Sequence, residues 1–281
     1  MTRNTNSARL ASAVRFRSRY SARLASAVRN FGLGALPVGL VSLAGLVLFS
    51  WPFLGTGLSA GTPAWALMLA CVAGLLLVEA GTRQLDSRAL ALLAAIAALD
   101  AALRLTVIVG IGGFNPIYFL VLCAGFVFGT SFGFMAGALS ILVSAVVSGG
   151  IGPWVPYQVF ALGWVGVAAG MAGRWRSPSP GLRDVLLLAA VGGVMGYVFG
   201  ALMDVTDWVP AFRGNPTLGW MPGMTPATAL LHFARFYALT SLAYDSFRAA
   251  GNVVMVLALG APVIAALSRF RSRLTFEVVR T

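Results

Sequence analysis

Apolar positions along this chain are not arranged in alternating or helical stripes but in long, nearly unbroken runs, at about 33–53, 64–81, 89–110, 117–130, 132–149, 157–173, 185–203 and 249–268. A run of roughly 20 such residues, rising 1.5 Å each as a helix, crosses a hydrocarbon core of about 30 Å. The pattern predicts an all-α, polytopic membrane bundle with eight crossings. The fourth run is short, and Phe128-Gly129-Thr130-Ser131-Phe132-Gly133 joins it to the fifth, which predicts a close antiparallel hairpin.

The polar stretches divide the chain further. Residues 1–30 form a basic segment in which Ser-Ala-Arg-Leu-Ala-Ser-Ala-Val-Arg occurs at Ser7–Arg15 and again at Ser21–Arg29, an offset of two heptads. A basic helix on anionic headgroups and a disordered tail are both open readings of it. Two crossings follow within 31–88, then six within 89–268, then a basic tail at 269–281. The one large connection, 204–248, is rich in Pro, Gly and aromatic residues and is expected to continue as an interfacial helix from Thr228 to Tyr244.

Charge orients this scheme. The twenty basic residues are all arginine, and sixteen of them fall before Asn30, at Arg83 and Arg88, at Arg174, Arg176 and Arg183, and at Arg269, Arg271, Arg273 and Arg280. Arginines near the ends of crossings are retained in the cytoplasm. Eight crossings of a plasma (inner) membrane with both termini cytoplasmic satisfy that rule. Arg213, Arg235 and Arg248 then lie in the outer connection, with Arg104 inside a helix.

Composition removes several function classes. The chain is 59% hydrophobic and 10% charged, whereas soluble domains carry about a quarter charged residues. The net charge of +12 follows membrane topology and not a nucleic-acid-binding face. Without lysine there is no Walker A motif, so the chain does not itself drive transport with ATP by that route. No HExxH, GxSxG or Cys/His cluster is present, so no enzyme, cofactor or metal site is expected. Cys71 and Cys123 lie in apolar runs as small hydrophobes.

From Ala89 onward, three stretches carry a resemblance: Phe114-Asn115-Pro116-Ile117-Tyr118-Phe119; the glycine-rich hairpin Ala124–Gly129 with Phe132-Gly133-Phe134; and the turn from Gly149 to Gln158, with Arg248-Ala249-Ala250-Gly251-Asn252 adding to them. In these the chain resembles the substrate-binding S components of energy-coupling factor (ECF) transporters, over about two thirds of its length. The resemblance implies a six-helix core that captures a vitamin or related small molecule at the outer face. It also implies docking onto a transmembrane coupling (T) subunit with two cytoplasmic ATPase subunits. The first two crossings are then additions. At the hairpin, where such proteins often place a basic residue, this chain has Thr130 and Ser131.

The candidate residues follow from this frame. Ala91, Ala94, Ala95, Ala98 and Ala102 give the third run small residues at helical spacing, a face on which a coupling subunit can approach closely; an alanine-rich composition produces the same spacing by chance. Asp100 and Arg104 are one turn apart and are expected to point inward, Asp100 as a structural group and Arg104 either as its partner or toward a ligand. Asn115, Trp154, Tyr157, Gln158, Asp204 and Trp208, with Asp207 nearby, are placed around an outer concavity suited to a planar heterocycle; for the aromatic residues a headgroup belt competes. Asn252 joins the substrate-binding set. Glu79 is expected to pair with Arg83, and His232 to pack a loop. A stand-alone ion-coupled transporter, with Asp100, Arg104 and Asp204 as a relay, is the alternative.

Overall fold

The computed structural model describes residues 36–54, 61–81, 87–106, 112–177 and 179–274. The basic segment 1–30, the final residues of the tail and Arg83 lie outside the described residues. All regular structure among those described is helical. Helix α1 (36–50) ends in a 3₁₀ turn, Trp51–Leu54. Then come α2 (Gly61–Gly81), α3 (Ser87–Thr106), α4 (Ile117–Phe128), α5 (Thr130–Val147), α6 (Val155–Ala172), α7 (Leu182–Ala211), α8 (Pro226–Thr240) and α9 (Leu242–Leu274).

Among the described residues, six spans are long and apolar enough to cross a membrane: Leu36–Leu54, Pro63–Ala80, Thr130–Val147, Val155–Trp175, Leu182–Ala211 and Leu242–Ser272. The molecule is a multi-pass helical membrane protein. Helices α3 and α4 are not among the six. Helix α4 has only 12 residues, and of these Leu120 and Phe128 alone are not buried. A helix that is apolar all round belongs inside a protein, and α4 sits at the hub, packed by α3, α5, α6, α7 and α9.

Glycine determines how tightly the hub closes. In α5 and α6, Gly133 and Gly166 face each other so closely that a methyl group on either would fall on the other's carbonyl. Gly125 of α4 likewise meets the Gly166 carbonyl, and Gly137 meets that of Leu162. Small residues allow backbones to approach where lipid gives helices no hydrophobic reason to associate. The α4–α5 link is correspondingly short: Gly129, at φ 102°, is the C-cap of α4 and the N-cap of α5 at once, a conformation that costs glycine little. The predicted hairpin is present. Its lack of a basic residue is offset from elsewhere, since Arg176 and Arg271 both donate to the Val127 carbonyl, at 3.0 and 2.6 Å. Cations there complement the negative end of the α4 dipole.

Helices α1 and α2 lie outside this core, α2 against α5 and α6 and α1 along α6. Trp164 Nε1 donates to Ser42 Oγ at 3.1 Å, Gly45 sits under Phe160 and Trp164, and Phe49 meets the Tyr157 ring edge-on at 5.2 Å.

The connection expected over 204–248 is mostly helix. Helix α7 continues to Ala211, α8 covers Pro226–Thr240 and α9 starts at Leu242, leaving only 212–225 and Ser241 outside helices. Hydropathy ended the seventh run at 203 and began the eighth at 249 because Asp204, Asp207, Asp245 and Arg248 interrupt the apolar pattern. Those side chains find partners or lie at one end of the bundle, so the helices run through them.

Candidate functional site

The site begins with a second row of glycines. On α7, Gly192, Gly196 and Gly200 recur every four residues along the face that meets α9. Gly196 lies against the Ala249 backbone, and a methyl group at Gly200 would overlap the Asp245 carboxylate. The missing side chains leave room for the first turns of α9. Into that room go Asp245 and Arg248, 1% and 9% exposed.

These two form an ion pair, Arg248 Nη1 donating to Asp245 Oδ1. The other Asp245 oxygen accepts from the Tyr237 hydroxyl of α8 at 2.9 Å. Arg248 also lies over the rings of Phe199 and Tyr244, at 5.4 and 5.3 Å, a cation–π arrangement that strengthens away from water. Tyr118, from the start of α4, packs edge-on against Phe199 at 5.2 Å and faces Arg248, Asp245 and Arg104. Burial, and then the carboxylate to which it donates, push the Tyr237 phenol upward in pKa. Helices α3, α4, α7, α8 and α9 thus converge on one polar nest at the end of the bundle opposite the hairpin.

One polar atom in the nest has no partner among the described residues. Asp204, hydrogen-bonded to the Ser241 side chain and beside Asp245 and Arg248, keeps its Oδ2 sealed from solvent and without a hydrogen bond. Leaving a buried polar group unsatisfied costs about 1–3 kcal/mol, which marks Asp204 as special.

An aromatic cluster adjoins the nest. Trp208, Val209 and Phe236 are buried, with Phe53, Phe212, Trp220 and Phe233 packed around them; Phe233 stacks on Tyr237 at 6.1 Å, which makes the two regions continuous. The segment 212–225 is pinned over this cluster. Trp208 Nε1 donates to the Leu218 carbonyl at 2.5 Å. The Asn215 side chain accepts from the Thr217 and Leu218 amides, and His232 Nδ1 bonds the Gly219 carbonyl at 2.8 Å. A carbonyl only accepts, so that nitrogen of His232 carries the proton. His232 is a loop-packing residue.

The residues singled out from sequence disperse. Asp204 is in the nest, and Trp208 stands one turn later in the aromatic cluster. Asn252, 2% exposed, donates to the Gly192 carbonyl at 3.0 Å and ties α9 to α7. Asn115 Oδ1 accepts from the Ile117 amide at 3.1 Å, where the chain turns into α4. Trp154 is exposed and turns back onto the Gly150 carbonyl. Tyr157 packs against Phe49 of α1, and Gln158 follows it on α6, half-buried. The α6 residues therefore do not join Asp204 through any contact seen here.

Asp100 and Arg104 do point inward, but not at each other. Asp100 accepts from Ser140 at 2.9 Å and Arg104 donates to Ser144 at 3.1 Å. Among the described residues no ion pair links the two. Two serines one turn apart on α5 match two charges one turn apart on α3. On the other side of α3, Ala91, Ala94, Ala95, Ala98 and Ala102 are all exposed, whereas Leu93, Ile96, Ala97, Asp100 and Ala101 are buried.

Asp245, Arg248, Tyr118 and Tyr237 were not among the substrate-binding candidates. Tyr118 and Arg248 stood in the stretches carrying the family resemblance, and the i, i+3 spacing of Asp245 and Arg248 was the available signal. It was hidden because both precede the last apolar run. A scan against protein-family models, a search of curated proteins and a search of solved structures each return no match to this chain.

Proposed function

We propose that the protein is the substrate-capture subunit of an ECF-type importer, binding a vitamin-like small molecule in the nest formed by α4, α7, α8 and α9. The observation that carries this reading is the nest itself: ionisable groups, one with an open valence at Asp204 Oδ2, gathered at one end of the bundle. Buried charge within a membrane protein is costly and marks substrate pathways. The opposite end holds Arg174, Arg176, Arg183, Arg269 and Arg271, at or next to the inner ends of α6, α7 and α9, so the nest faces outward under the positive-inside rule.

In this reading α3 to α7 and α9 form the six-helix core, α1 and α2 are additions, all eight helices count as crossings of the plasma membrane, and both termini are cytoplasmic. The exposed alanine face of α3 supports a transmembrane coupling partner, which two cytoplasmic ATPases power. The pinned segment 212–225 acts as a lid that excludes water from the bound ligand.

Affinity purification from native membranes tests the proposal. A coupling subunit and ATPases are expected to co-purify, a small molecule to appear by native mass spectrometry, and uptake to require ATP. Uptake by the isolated protein driven by an ion gradient would overturn it. That second reading, an ion-coupled transporter, is favoured by one observation: Asp100 is fully buried and its Oδ1 lacks a partner, as a group that exchanges a proton would be.

A further inference from the structure

We infer that the ligand of the nest presents a cationic or N–H-rich edge, an amine or amidine, to Asp204. The inference rests on the capture reading above and specifies what is captured. Its ground is a count of which polar valences are already taken.

Asp245 has both oxygens engaged, one by Arg248 and one by Tyr237. Arg248 is neutralised by that pair and held over two aromatic rings. Arg104, which also acts on Tyr118 electrostatically, donates to Ser144. Asp204 takes one side-chain hydrogen bond, from Ser241, and what remains open is its Oδ2, which as a carboxylate oxygen only accepts.

Charge points the same way. Asp204 has Asp207 one turn later on α7 and Asp245 across the seam as carboxylate neighbours, with Arg248 the one guanidinium beside it. Arg248 is paired with Asp245 and Arg104 is turned to Ser144, so the open oxygen of Asp204 has two carboxylates and no uncommitted guanidinium beside it. A carboxylate or phosphate head entering here meets repulsion and finds the nearest cation committed. An amine or amidine meets an acceptor with no partner, and gains a charge-assisted hydrogen bond in a site where water competes weakly.

Matched aromatic probes test this on the full-length protein in detergent: benzamidine, a planar cation that only donates, against benzoate, its isosteric anion that only accepts. Thermal-shift and tryptophan-fluorescence titrations are expected to register benzamidine and not benzoate. Asp204→Asn keeps the shape and removes the charge, and should weaken benzamidine at least about tenfold, while Asp207→Asn, exposed on the next turn, should weaken it less than Asp204→Asn does. The inference is overturned if benzamidine gives no response, if benzoate binds as tightly, or if both variants lose binding equally. Near-native unfolding temperatures for both variants, measured without probe, separate lost binding from lost folding. Co-purification of ATPases without benzamidine binding would defeat the ligand class alone. Benzamidine binding without ATPases would defeat the capture-subunit reading and leave the ligand class standing.

Discussion

Two glycine seams run through this molecule and serve opposite ends. In the α4–α5–α6 seam, Gly125, Gly133 and Gly166 bring backbone against backbone. In the α7–α9 seam, Gly196 and Gly200 leave space that the α9 backbone and the Asp245 carboxylate occupy. The same spacing of the same residue closes one interface and furnishes the other. The difference lies in the partner helix: α6 brings its own glycines, whereas α9 brings Asp245, Ala249 and Asn252.

The comparison can be attacked where it is strongest. Arg248→Ala strands Asp245, 1% exposed, as an unpaired buried carboxylate and should destabilise the protein by about 3–5 kcal/mol. Chemical denaturation in detergent reads this, and Arg248→Ala/Asp245→Asn should recover much of the loss. Gly166→Ala drives a methyl group into the Gly133 carbonyl, where two backbones must part, and should cost about 1–3 kcal/mol through overpacking. It should leave benzamidine binding intact in whatever protein folds. Gly200→Ala should do the reverse, displacing the Asp245 carboxylate and abolishing probe binding while the bundle still assembles. If both glycine variants lose stability and binding together, the seams are one structure and the distinction fails.

Smaller effects sharpen the boundary. Trp208→Phe removes the bond to Leu218 but keeps the ring, and should cost about 1 kcal/mol and loosen 212–225, read as faster proteolysis of that segment. Ala95→Leu on the exposed face of α3 should change stability by no more than about 0.5 kcal/mol, yet abolish co-purification of a coupling subunit. Unchanged co-purification would remove that face from the proposed interface.

The candidate site was only half legible in the linear pattern. Asp204 and Trp208 were found because they interrupt or follow an apolar run at a visible edge. Asp245 and Tyr237 were not, since a polar turn at the start of a helix reads as loop until its partners are known. Trp154 and Tyr157 show the converse: aromatic residues at a helix end look alike in sequence whether they face solvent, another helix or a ligand.

Long apolar runs, the glycine-containing link 128–133 and arginines clustered between segments were enough for the sequence alone to settle a helical membrane bundle with a tight hairpin at Gly129, because lipid leaves the backbone no alternative but to satisfy itself within each helix. Which helix is wrapped by protein instead of lipid, whether Asp100 meets Arg104 or Ser140, and that Asp245 fills the space at Gly200 were decided only by the tertiary structure. Those depend on contacts between residues far apart in the chain, 40 positions in the case of Asp100 and Ser140, and no local periodicity encodes whether two neighbouring charges pair along their own helix or each bonds to the next.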